Sequence, residues 1–163
     1  MLPPGRPCGF FTGAASPAAI SENVTVTETD EWGRVPLHYA AMDRPIDDVR
    51  ELLSEAVDPD PRDIGGWTPL LYAARSARHE VVSLLLDAGA PVDAPTEKGL
   101  PALYWAIVGR GEDPVGTIRV LRARGADPEA KTMEGHFGLT SPLDYLRDVA
   151  STPVVRAEFA DLL

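Results

Sequence analysis

The feature that most constrains this chain is a period of 33 residues. Gly33, Gly66 and Gly99 are 33 apart, as are Leu37, Leu70 and Leu103, and Ala40, Ala73 and Ala106. Pro36 and Pro69 share that spacing. A second landmark follows each time: "AVDPDPRD" from Ala56, "GAPVDAPT" from Gly89 and "GADPEAKT" from Gly125, with ten residues from each of these starts to the next repeat's glycine. A fixed period of this length is the signature of stacked units, none of which can cover its own apolar face.

The second unit is the easiest to read. Thr68-Pro69 sets an N-cap residue before a proline at the first helical position, which starts a helix. Leu70, Ala73 and Ala74 then mark one apolar face at spacings of three and four. "RSAR" breaks the pattern, and "HEVVSLLLDAG" reads as a second helix that buries Val81, Val82, Leu84, Leu85 and Leu86. Gly89 closes it in the left-handed region. Each unit is thus turn, helix, turn, helix, and the small Ala73 and Ala74 allow close approach of neighbouring helices.

The residues "DEWGRVPLHYAA" (30–41), "DIGGWTPLLYAARSARHEVVSLLLDAGAPVDA" (63–94) and "EKGLPALYWAI…RVLRARGADPEA" (97–107 and 119–130) resemble the ankyrin repeat. That resemblance implies an all-α solenoid of about four helix-turn-helix repeats with short hairpin loops, near 30–62, 63–95, 96–130 and 131–163. The chain departs from the pattern at several points. Val35 stands where the motif has Thr, and Leu71 and Tyr104 replace the His found at His38. The third repeat is three residues longer, within "VGRGEDPVG", and the fourth gains four before its helix, in "GHFGLTSPL". The fourth also reads as a terminal cap, with Asp144 and Arg147 exposed. Residues 1–22, rich in Pro, Gly and Ala, read as a disordered arm ahead of a repeat domain at 23–163. "SENVTVTETD" falls in the register of a hairpin that could dock on the first repeat.

Charge narrows the partners. The formal net charge is −10, of which residues 1–29 carry only one unit. Nucleic acid and anionic membranes are disfavoured, and a partner protein with a basic surface is favoured. No run of apolar residues approaches a membrane span, and the N-terminus lacks the pattern of a signal peptide. A single cysteine, Cys8, points to a reducing cytoplasm and a monomer without disulfides. The abundance of Ala, Pro, Arg and Asp suggests a GC-rich bacterial genome.

Catalytic chemistry finds no support in the pattern. His38 falls at the family's His position, where the resemblance implies a structural brace. His79 opens "HEVVS", a near miss to a zinc helix, but Ser83 stands where the second imidazole belongs. His136 lies in the insertion of repeat four. "GRGEDPVG" has neither the preceding strand nor the following Lys-Ser/Thr of a phosphate loop. "DPDPRD" has two prolines where a calcium loop needs a glycine-permitted turn. No enzyme, cofactor or metal is expected.

What remains is a surface. The resemblance implies binding through hairpin tips and a concave face lined by the first helices. Tyr39, Tyr72 and Trp105 recur every 33 residues and Tyr145 takes the same register, so their rings form a row. The row could pack as a satellite core against the fingers; the alternative, adopted here, exposes at least two rings to a partner. Trp32 and Trp67 flank the motif glycine at hairpin tips. Together with Arg75 and Lys98 these aromatics are the expected partner-binding residues, extended by Glu31, Ile64, Glu97, Met133, Ser76, Met42 and Asp43. The functional expectation is a protein-binding module. Its alternatives are an immunity protein neutralising a basic toxin, as short acidic bacterial ankyrin proteins resemble, and a redox or stress accessory acting through Cys8.

Overall fold

The computed structural model describes residues 28–163 except 56, 112, 136, 137 and 149–151. The arm at 1–22, Cys8, His136 and most of the stretch before Asp30 lie outside the described residues. Four helix pairs follow one another: α1 (Pro36–Asp43) and α2 (Ile46–Ser54), α3 (Pro69–Arg75) and α4 (His79–Asp87), α5 (Ala102–Val108) and α6 (Pro114–Ala123), α7 (Pro142–Asp148) and α8 (Pro153–Ala157). First helices pack on first helices (α1 on α3, α3 on α5, α5 on α7), and second helices on second (α2 on α4, α4 on α6, α6 on α8). The result is the two-layer stack that the period demands.

Packing explains why the repeated letters repeat. Leu37, Leu70, Leu103 and Leu143 are each at most 1% exposed, and Ala40, Ala73 and Ala106 are fully buried between first helices. Small side chains there let the helices close on one another, while Val81, Val82 and Leu85 bury the face of α4. Leu84 and Leu86 are only half-buried against that core, because they flank the apolar stripe instead of centring it. Gly89 and Gly125 end α4 and α6 at φ +99° and +92°, the left-handed C-cap expected of them.

The start signals behave as their chemistry dictates. Thr68 accepts the Leu71 N–H on its hydroxyl at 3.4 Å, and the cap at Val35 has no such acceptor. In α7 the cap is reciprocal. Ser141 Oγ accepts from the Asp144 N–H and Asp144 Oδ2 accepts from the Ser141 N–H, both at 3.1 Å. Asp144 is therefore half-buried and engaged, a correction to the expectation of an exposed capping residue; Arg147 is exposed. The extra length of repeat four lies within a small antiparallel strand pair, β1 (Met133–Gly135) with β2 (Gly138–Thr140), and the segment that leads to α7.

The third repeat's extra length folds back on its neighbour. Gly109 and Gly111 lie so close to the Arg75 and Ser76 carbonyls that a Cβ at either would collide with backbone oxygen. The Asp113 N–H then donates to Ala77 O at 3.1 Å, and Asp113 Oδ1 caps α6 by accepting from Gly116 N–H at 2.8 Å. The glycines serve close packing of a loop on a helix end.

His38 braces the first two repeats. It is fully buried; its Nδ1 accepts the Val35 N–H and its Nε2–H donates to the Trp67 carbonyl, both at 3.1 Å. This arrangement requires the neutral ring. Burial pushes the imidazole pKa below its ordinary value, and the Trp67 carbonyl offsets only part of that. The unfolded chain therefore binds more protons below about pH 6.5, so stability is full above that pH and declines beneath it. Urea midpoints should fall between pH 7.5 and 5.5, and His38→Gln should flatten that slope. A midpoint that rises on acidification, or a slope retained in the variant, would contradict the brace.

Candidate functional site

Each finger is organised by one aspartate. Asp30 Oδ1 accepts the N–H groups of Trp32 (2.8 Å) and Arg34 (2.9 Å), while its Oδ2 accepts the Tyr39 hydroxyl at 2.5 Å. One repeat on, Asp63 Oδ1 accepts from Gly65 (2.9 Å) and Trp67 (2.8 Å), and Oδ2 accepts the Tyr72 hydroxyl at 2.8 Å. One carboxylate thus folds the finger and ties it to the first helix behind it. Burial alone would raise the Asp30 carboxyl. The Tyr39 hydroxyl and the Arg34 and Trp32 amides outweigh it and hold the group below its ordinary value. Burial, with the bond to Asp63, pushes the Tyr72 phenol well up.

The third repeat breaks this rule. Thr96 takes the place of the aspartate and spends its hydroxyl on the Leu100 N–H at 3.3 Å. Trp105 takes the place of the tyrosine, and its enclosed indole Nε1 finds no acceptor.

The rings form one continuous row. Trp67 lies 4.5 Å from Trp105 and 5.0 Å from Tyr72, centroid to centroid; Tyr104 lies 5.3 Å from Trp105 and 5.1 Å from Tyr145. Two guanidinium groups are set into the row. Arg34 sits 5.5 Å from the Tyr72 ring, 5.9 Å from Tyr39 and 6.0 Å from Trp32, and Arg75 sits 5.6 Å from Trp67 and 5.8 Å from Trp105. Arg34 also approaches Asp63 to 3.5 Å. A cation within about 6 Å of a ring centroid is attracted to the ring's negative face.

The structure therefore joins Trp32, Tyr39, Trp67, Tyr72, Arg75, Trp105 and Tyr145 into a single row. Exposure within it is uneven. Trp32 is 48% exposed and Arg75 is exposed; Tyr39, Trp67, Trp105 and Tyr145 are half-buried. Tyr72 is a correction: it is 6% exposed, because Asp63 takes its hydroxyl while Trp67 and His38 cover its ring. Met133 is likewise buried, at the start of β1, and offers no contact surface. Lys98 is exposed on the third finger in the register of Trp32, outside the row; Glu31 and Glu97 are exposed on fingers too, and Ile64, at 66%, stands on the second. Tyr104 and Arg34 were missed by sequence reasoning. Tyr104 sits in the register of His38, and only its aromatic replacement of that His hinted at a link from Trp105 to Tyr145.

Among the described residues no three His, Cys, Asp or Glu side chains gather as ligands for a metal, and no helix is long and apolar enough to cross a membrane. The chain matches the family described as "Ankyrin repeats (3 copies)" over residues 17–96 and 37–132. It is 36% identical over 109 residues to "Ankyrin repeat, SAM and basic leucine zipper domain-containing protein 1" of Mus musculus, covering 66% of this chain and 22% of that protein. It is 37% identical over 94 residues to "Neurogenic locus notch homolog protein 1" of Xenopus laevis, covering 56% of this chain and 4% of that protein. The chain thus spans a quarter or less of the curated relatives it matches. The 33-residue period, the paired helices stacked in two layers and the family match agree: this chain belongs to the ankyrin repeat family, whose repeats serve as generic protein-interaction modules.

Proposed function

We propose that this protein binds a partner protein through the aromatic row on its first helices and fingers. The observation that carries the reading is the row itself, with Trp32 half in solvent and the exposed Arg75 beside two half-buried indoles. Tyr, Trp and Arg concentrate binding energy because they bring large contact area at little entropic cost. The net charge of −10 favours a partner that is basic overall, drawn in at long range. Neutralisation of a basic toxin is the specific form of this reading that the charge supports, and co-expression with the product of the neighbouring gene tests it.

The repeat supplies its own substitutions for the general test. Trp67→Leu installs the residue that Leu100 provides in the next register, and Trp32→Ala trims an exposed ring. Each should weaken capture of the native partner by about 10- to 100-fold, the loss typical of truncating an interface anchor. The thermal midpoint should stay within a few degrees of the parent for Trp32→Ala and fall further for Trp67→Leu, which uncovers the Tyr72 ring, so capture is compared well below both midpoints. Undiminished capture in the double variant, measured by titration of the purified partner, would sink the proposal.

A further inference from the structure

The third repeat's longer loop borders an open hollow of about 530 Å³ beside the end of α3, lined by Arg75, Ser76, Trp105, Gly109 and Arg110 among others. We infer that this hollow is a subsite for one acidic side chain, an aspartate or glutamate, of the partner protein that the row binds; the inference rests on that reading.

Several observations converge on it. The Arg75 guanidinium carbon lies 5.6 Å from the Trp67 ring centroid and 5.8 Å from that of Trp105, and its N–H groups make no hydrogen bond among the described residues. A guanidinium with free N–H groups carries the fork that matches a carboxylate bidentately. Arg110, exposed on the loop, adds a second positive charge to the same hollow, and no described carboxylate pairs with either arginine. In a chain of net charge −10, two arginines among the described residues line this one hollow. The third wall is the half-buried Trp105, whose indole Nε1 itself is enclosed.

The hollow is also built, because the loop that forms it depends on two glycines. Gly109 N–H donates to Trp105 O at 2.8 Å, and Gly109 and Gly111 alone allow the loop to lie on the Arg75 and Ser76 carbonyls. The cation does not recur in the neighbouring repeats, where Met42 and Val108 hold the register of Arg75. A partner basic overall can still place one acidic residue here, and a single paired charge of this kind sets register more than it sets attraction.

The test titrates the full chain, labelled with 15N, with end-blocked hexapeptides of glutamate, glutamine and lysine at 150 mM salt. Hexaglutamate should move the Arg75 Nε–H and Trp105 Nε1–H resonances, with hexaglutamine at least tenfold weaker and hexalysine without effect on them. Arg75→Met, which installs the residue of the first repeat at an exposed position, should weaken hexaglutamate at least tenfold with the melting temperature kept. Trp32→Ala should leave hexaglutamate binding intact, so that failure of the row and failure of the subsite give different results. Equal binding of glutamate and glutamine peptides, stronger shifts with lysine, or full binding by Arg75→Met would each overturn the inference.

Discussion

Replacing Gly99 by Ala is expected to destabilise the fold by about 3–5 kcal/mol, several times the effect of the same change at Gly33. The two glycines hold the same place in the motif and nearly the same backbone, φ +75° and +73°. The left-handed conformation costs an L-residue about 1–2 kcal/mol, and that part is common to both. Their surroundings differ. At Gly33 an added Cβ would meet nothing closer than the Ile64 amide at 3.4 Å, ordinary contact. At Gly99 it would lie inside the Thr132 carbonyl oxygen and 2.7 Å from its carbon, both backbone atoms. The Thr132 hydroxyl also donates to Gly99 O at 2.8 Å, so the third and fourth fingers must part for the methyl to fit. Gly66, at φ +72° with the Glu97 amide at 3.0 Å, should fall between them. Urea melts of the three Ala variants should rank Gly99 well above Gly66, and Gly66 above Gly33. Equal losses at all three would show that backbone conformation alone sets the requirement for glycine.

That ranking could not be read from the letters, and the reason applies to the site as a whole. Periodicity reports what every repeat shares: the leucines, the small alanines between first helices, the cap at Thr68, and the glycines at Gly89 and Gly125. Those positions sit where the pattern places them, because their contacts lie within one unit or between identical faces of adjacent units. Contacts that depend on which repeat is the neighbour are illegible in a single register. Tyr72 looked equivalent to Tyr39, yet Trp67 and His38 bury it, and in its own register Trp67 is matched by Arg34 and Leu100. Tyr104 read as a lost histidine, and it joins two ends of the row that the 33-residue spacing had treated as adjacent. Arg34 and Arg75 had no period to betray them. The row was visible as a list of aromatics with Arg75 beside them, whereas Arg34, and the contacts of both cations with the rings, appear only in three dimensions.

The same distinction governs Arg78, the last residue of the "RSAR" break. Arg78→Ala should cost about 2–4 kcal/mol, since the side chain makes charge-assisted bonds that a half-buried position cannot fully replace with water. Its guanidinium donates to Ala40 O at 2.8 Å, to Ala41 O at 3.2 Å and to Arg44 O. These are carbonyls at and just beyond the end of α1, which lack partners within the helix and carry the negative end of its dipole. One side chain of the second repeat therefore closes a helix of the first. Lys at this position keeps the charge but cannot fork across three carbonyls, so Arg78→Lys should recover less than half of the loss. Because stacked repeats are coupled only to their neighbours, the damage should be local. Hydrogen exchange should accelerate in α1 and α2 while α5 and α6 keep their protection. Uniform acceleration through all four helix pairs would mean that the repeats unfold as one unit and that Arg78 is not a junction between the first and the second.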